Sequence, residues 1–260
     1  MLDLTITSLE TITCFALNTG NYLFTLDELQ NASIANTEEK VDITGKQGRK
    51  LNSLKRNKAA TVSGANGMIS GGLIEMQTGG TFETKSTDVM WRDFLTVQSN
   101  AATTKYKAIG TAGAEISELY ILTTDGTAQT ALEQDASAAE GKFAYAPETK
   151  VLSFSGLADG TEIAVLYKRK ISAETITNNS DTYAQKCEMY LDAMAEDKCS
   201  NIYHVQFHFP KVDFSGEFTI DLGDDQAIHN FEAECLAGAC GAAGKLWDLV
   251  VFGENAEDVA

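Results

Sequence analysis

Polar and apolar positions alternate with a period of two along most of this chain, the mark of β-strands with one buried face. Leu4–Ala16 alternates in this way, with Ile6, Ile12 and Phe15 set among threonines. The turn residues Asn18-Thr19-Gly20-Asn21 lead into Tyr22–Leu26, which predicts a first hairpin. Residues 59–63 read as a strand. Residues 68–77 read as a short helix ended by Gly79-Gly80. Residues 81–98, with Phe82, Val89, Trp91, Phe94 and Val97 as apolar members, read as one bent strand or a strand pair.

The middle of the chain changes character. Short β segments recur at 118–122, 141–145, 151–154 and 161–167, joined by hairpin-length links at Pro147-Glu148-Thr149-Lys150 and Asp159-Gly160. This spacing predicts a small β-sandwich, at 101–172, inserted between two parts of a larger sheet, 1–100 and 173–260. In the last part, residues 203–209 place four apolar residues on one face and three polar ones on the other. Residues 183–193 alternate as well, although their Ala, Met and Glu also suit a helix. Strands are expected at 214–222 and 228–236, and residues 245–252, rich in Leu, Val, Trp and Phe, read as a buried closing strand.

Composition supports a mainly β chain. Of 260 residues 21 are Gly and only two, Pro147 and Pro210, are Pro, as suits paired strands that need every amide. No apolar run is long enough to span a bilayer, and the first residues, with an acid at position 3, have no signal-peptide pattern. Five scattered cysteines fit buried thiols folded in a reducing cytoplasm.

Charge adds one asymmetry. The net charge is −17, yet residues 43–76 carry Lys46, Arg49, Lys50, Lys55, Arg56 and Lys58 and no acid before Glu75. Too polar for a core strand and punctuated by Gly45 and Gly48, this stretch is expected to be a long loop. A basic loop on an acidic chain complements another copy of itself. Residues 212–260, with eleven acids against Lys245, are its expected counterpart.

Motifs for chemistry fall short. Residues 236–245 outline a phosphate loop, but Ala239 stands where glycine is needed and Leu246 where a magnesium-binding hydroxyl is needed. Cys199, His204 and His208 suggest metal spacing. On a strand, however, the two histidines lie about 13 Å apart, too far for one zinc ion. Cys235 and Cys240 read as core residues, and Asp224-Asp225 near His229 reads as a turn. No serine lies in a nucleophile elbow. No enzyme activity, cofactor or metal is predicted, and a pI near 4.5 argues against nucleic-acid binding.

The stretch Asp42-Ile43-Thr44-Gly45-Lys46-Gln47-Gly48-Arg49-Lys50, continuing through Lys58-Ala59-Ala60-Thr61-Val62-Ser63-Gly64, Gly71-Gly72-Leu73 and Gln77-Thr78-Gly79, resembles structural proteins of tailed bacteriophages. So do Phe231-Glu232-Ala233-Glu234 and Lys245-Leu246-Trp247-Asp248-Leu249-Val250-Val251-Phe252-Gly253. The likeness is to the major tail, or tail tube, proteins of long-tailed phages. It implies a tail-tube-like β-sandwich or barrel, with 1–100 and 173–260 as two parts of the tube-forming domain. It also implies self-assembly into stacked rings, commonly hexameric, each built around a shared β-barrel. A long loop reaches the adjacent ring, which assigns Lys46, Arg49, Lys50, Lys55, Arg56 and Lys58 to inter-subunit contact. The lumen would be acidic, so that DNA passes without specific binding, and the inserted segment would decorate the outside. The implied partners are further copies and other tail proteins, with no membrane. The implied location is the virion tail, assembled in the host cytoplasm. A capsid decoration or head protein, and a carbohydrate-binding β-sandwich with aromatics near Tyr183, Tyr190 and Tyr203, are the rival readings.

Overall fold

Two antiparallel-rich sheets carry nearly all of the structure, a computed structural model that describes residues 3–123, 128–222, 227–237 and 244–253. The chain starts with β1 (Leu4–Ala16), β2 (Tyr22–Leu26), β3 (Leu29–Thr44) and β4 (Lys50–Asn66), then a helix, α1 (Gly71–Thr78). Seven strands follow: β5 (Glu83–Thr96), β6 (Ala101–Thr103), β7 (Ile116–Leu122), β8 (Ala128–Gln134), β9 (Lys142–Ala146), β10 (Val151–Phe154) and β11 (Glu162–Thr175). The last five are β12 (Lys186–Asp197), β13 (Ile202–Phe214), β14 (Ile220–Leu222), β15 (Ala227–Cys235) and β16 (Asp248–Gly253). The mainly β class read from the alternation is what the structure has. Residues up to Phe82 and from Ile176 form one compact unit, and Glu83–Thr175 form another.

The first unit is one sheet in the order β2-β1-β12-β13-β15-β4-β3, with β14 beside β15 and β16 beside the first half of β13. Its buried faces come from alternation: Cys187, Met189, Leu191, Ala193 and Ala195 of β12 are buried while the residues between them are not. Residues 183–193 are therefore not helical, because a helix would scatter those five around its axis. Side chains from opposite ends of the sheet share one core. Phe24 and Leu26 of β2, at one end, and Ala32 and Ile34 of β3, at the other, belong to it, and Phe24 and Phe231 of β15 both approach Phe214, at 6.3 and 6.4 Å between ring centres. The sheet must therefore curl on itself, as right-handed twist and the bulges in β1 favour.

Helix α1 packs into that core with Leu73 and Met76. Ser70 caps it by accepting from the Leu73 amide, and Gly79, in the left-handed region at φ 70°, ends it as the sequence predicted. Eight residues led by two glycines make no stable helix alone, so packing holds it. Burial of a side chain such as Leu73 contributes about 1.5–3 kcal/mol. Gly72 permits the close approach, since a Cβ there would fall 2.4 Å from Cβ of Phe24.

The second unit has the order β5-β11-β7-β8-β9-β10-β6 around its own core of Val97, Leu119, Phe143, Leu152, Ile163, Val165 and Tyr167. β5 and β11 pair along their whole length, from Thr96 with Glu162 to Glu83 with Thr175. Buried Asp93 is a hub in this unit. It accepts from the Trp91 indole (2.9 Å), the Lys105 amide (2.8 Å) and the Tyr167 hydroxyl (2.7 Å). Burial and the Asp93 carboxylate raise the Tyr167 pKa, so the phenol stays a donor.

Three expectations are corrected. The strand expected at 214–222 is only Ile220–Leu222, because Ser215-Gly216 leave the sheet. The closing strand at 245–252 is partly buried, and only at its start: Leu246 and Trp247 pack against the core, while Leu249, Val250 and Phe252 of β16, which among the described strands pairs with β13 alone, are exposed. The third correction, to the basic stretch, shapes the functional site.

Candidate assembly interface

The basic stretch is one half of a two-stranded ribbon. β3 and β4 stay paired from Thr37 with Ala59 to Thr44 with Lys50, with register shifts after Thr37 and after Ile43, beyond the last core residue of β4, Ala60. About eight residues per strand at about 3.3 Å each make an arm of about 25 Å. A turn closes it, with the Gly45 amide on the Arg49 carbonyl (2.7 Å) and Gln47 and Gly48 at positive φ. A loop was expected because charge was read along one strand. The acids of the other strand, Glu38, Glu39 and Asp42, lie just upstream of the basic run and come opposite it once the chain turns.

Three of the six expected contact residues are paired within the arm. Lys50 meets Asp42 at 2.7 Å, Lys55 meets Glu38 at 2.5 Å and Arg56 meets Glu39 at 2.7 Å. Asn57 also donates to Glu39, and Arg56 first and Asn57 second lower the Glu39 pKa. Lys40 and Lys55 stand directly opposite each other, an unfavourable juxtaposition that Glu38 offsets. Lys46 and Arg49 sit at the tip and Lys58 near the base. All three are exposed and have no ion-pair partner among the described residues. The signal for the missed acids was available: a Gly-rich turn at 45–48 sets 38–42 against 50–56 by counting.

The arm has two unlike faces. Direct partners share a face, so Val41 with Leu54 and Ile43 with Asn52 lie on one side. Lys40 with Lys55, and Asp42 with Ser53, lie on the other. Leu51 at the tip covers Gly45, where a Cβ would fall 2.7 Å from its Cδ1.

The outward face of the curled sheet is acidic. His208 joins Glu188 (2.7 Å) and Asp248 (3.5 Å) through its two ring nitrogens and stacks on Tyr190 at 4.5 Å. Burial, with Glu188 beside it, raises the Tyr190 phenol to about 12. Asp192 accepts from Gln206. Further along, a cleft of about 690 Å³ is lined by Tyr183, Lys186, Asp213, Phe218, Glu232 and Glu234 among others. Asp213 and Glu234 are direct cross-strand partners, and Lys186 lies 3.3 Å from Asp213. Asp213, Glu232, Glu234 and Asp248 fall in the 212–260 stretch expected to face the arm; Asp224, Asp225, Glu254, Glu257 and Asp258 lie outside the described residues.

The chemical candidates are placed as follows. His204 stacks on Phe252 and His208 is held by carboxylates, so neither turns toward Cys199 as a ligand pair would. The described residues hold no cluster of three or more His, Cys, Asp and Glu suited to a metal ion. Cys14, Cys187 and Cys235 are buried thiols, whereas Cys199 is exposed. Residues 238–243 of the phosphate-loop outline, Cys240 included, lie outside the described residues. Tyr190 is engaged by Phe15 and His208, so it offers no free aromatic platform beside Tyr183 and Tyr203. No described helix is long and apolar enough to cross a membrane.

No curated protein matches the chain. Its mainly β architecture and its protruding hairpin agree with a match over residues 4–247 to one family model. That match shows that the chain belongs to the YomU/Tube protein family, a family of phage tail tube proteins, and is a non-enzymatic structural component of the virion tail.

Proposed function

We propose that the chain forms rings, six copies each, that stack into the tail tube, with the β3–β4 arm of one ring engaging the next and Lys46, Arg49, Lys50, Lys55, Arg56 and Lys58 at or beside that contact. The observation that carries this reading is a cationic ribbon about 25 Å long on a body that is otherwise strongly acidic. The acidic face bearing Glu188, Asp192 and Asp248 is suited to lining a DNA conduit, because like charge prevents the counterion-releasing contacts that would hold the polymer. Further copies and other tail proteins are then its partners, and DNA passes without specific binding.

The internal ion pairs decide how to test this. Reversing Lys50, Lys55 or Arg56 sets like charges against Asp42, Glu38 or Glu39 and damages the arm itself. Reversing Lys46, Arg49 and Lys58 to Glu leaves those pairs alone. That variant is expected to stay folded and, because three added acids repel an acidic neighbour rather than merely withdrawing attraction, to lose stacked rings in negative-stain images of concentrated protein, while the parent forms them. A parent that stays monomeric by mass photometry at high concentration, at low and high salt, would sink the reading.

A further inference from the structure

We infer that the arm anchors through its apolar face, Val41, Ile43 and Leu54 with Leu51 at the tip, against a second copy of this chain, and that its cations steer the approach rather than hold it. The inference rests on the stacking reading above and deepens it.

Three observations lead there. First, the ion pairs that dominate the arm are internal and solvent-exposed, and such pairs contribute only about 0–1 kcal/mol each. With Lys50, Lys55 and Arg56 already paired, the charge left for a partner is Lys46, Arg49 and Lys58, together with Lys40. Second, the face opposite Lys40, Asp42 and Lys55 is apolar in its outer half. Beyond the Glu39–Arg56 pair, Ile43 is 41% exposed and Leu54 54% on that face, and Leu51, the extra residue at the register shift over Gly45, is 67% exposed at the tip, on a ribbon that no other described strand covers there. A two-stranded hairpin is marginal in water by itself, and a stripe of large apolar side chains on its free end has no role in the core. Third, charge names the occupant. Residues 37–58 hold seven bases against Glu38, Glu39 and Asp42, in a chain of net charge −17, so this segment is attracted to an acidic body like its own. Tail tube proteins self-assemble, which supplies that body at high local concentration.

The division of labour follows from range. Exposed charge acts over about 10 Å at ordinary salt and accelerates encounter, whereas apolar contact acts only on closure and sets how slowly the partners part.

Two variants separate the parts: Ile43→Thr with Leu54→Thr, which keeps β-propensity, and Lys46→Ala with Arg49→Ala and Lys58→Ala. Each is compared with the parent for critical concentration by sedimentation and for assembly rate by light scattering, at low and high salt. The apolar variant is expected to raise the critical concentration about tenfold or more at both salts. The cation variant is expected to slow assembly at low salt and to change the critical concentration much less. An apolar variant that assembles at the parent's critical concentration would overturn the inference, as would a cation variant with the larger shift. A lowered melting midpoint in the apolar variant would show that the stripe packs on its own body, and would overturn it too. If the parent forms no stacked rings, the stacking reading falls and this inference with it. If the parent stacks and only the apolar variant behaves as parent, the stacking reading stands alone.

Discussion

Replacing Asp93 by Asn tests whether the second unit is held by its buried carboxylate. Asp93 takes three hydrogen bonds, from the Trp91 indole on one oxygen and from the Lys105 amide and Tyr167 hydroxyl on the other. An Asn side chain keeps one oxygen. Oriented to serve Lys105 and Tyr167, it turns its amide toward the Trp91 N–H, donor against donor. One buried donor left unsatisfied costs about 1–3 kcal/mol, and the two remaining bonds lose their ionic strengthening. The expected loss is about 2–4 kcal/mol. The chain has two tryptophans, one in each unit, so a Trp247→Phe background leaves Trp91 to report on the second unit. With a slope of about 2 kcal/mol per molar urea, its unfolding midpoint should fall by about 1–2 M. A shift below about 0.3 M would refute the hub, given the same slope. The Trp247 transition, followed with Trp91 replaced, should not move, since the two units have separate cores.

Two further outcomes are expected. His229 is buried and its pKa lies below the ordinary imidazole value because burial disfavours the charged ring. Its native form is therefore neutral. Below about pH 6.5 the unfolded chain takes up a proton that the native chain refuses, so stability is full above that pH and is lost as pH falls. His229→Gln should flatten the fall in stability between about pH 7 and about pH 5, measured by urea unfolding, and an unchanged slope would contradict this. Deleting residues 83–175 and joining Phe82 to Ile176 through a short Gly-Ser linker should leave a chain that folds and still forms rings. Loss of the cooperative melt of the first unit would show that the deleted strands support it.

Much of the fold was legible because it is written in local alternation. β1, β2, β13 and β15 show it, and α1 announces its end through Gly79-Gly80. β8 has no strand signal of its own: AQTALEQ has the composition of a helix, and its strand state comes from pairing with β7 and β9. The exposure of β16 was also illegible, since an apolar run looks the same whether or not a second strand flanks it. For the site, the six cations were found and their setting was not. Lys50, Lys55 and Arg56 read along the chain as charges free for a partner, although Asp42, Glu38 and Glu39 lie 8, 17 and 17 residues upstream of them and only the hairpin register brings each pair together. The apolar stripe was overlooked for the same reason, because Val41 and Leu54 are neighbours across strands and strangers along the chain.

The continuous pairing of β5 with β11 has a genetic consequence. Glu83 and Thr175 are direct partners in an antiparallel ladder, which puts their backbones about 5 Å apart. The chain thus leaves Phe82 and returns at Ile176 through two adjacent points. A segment with such closely spaced ends behaves as a cassette: it can be gained, lost or traded for another module between phage genomes at the cost of closing a very short gap. Sequence change within residues 83–175 is then uncoupled from the sheet that carries the arm, since the two units share neither a core nor a ladder among the described residues.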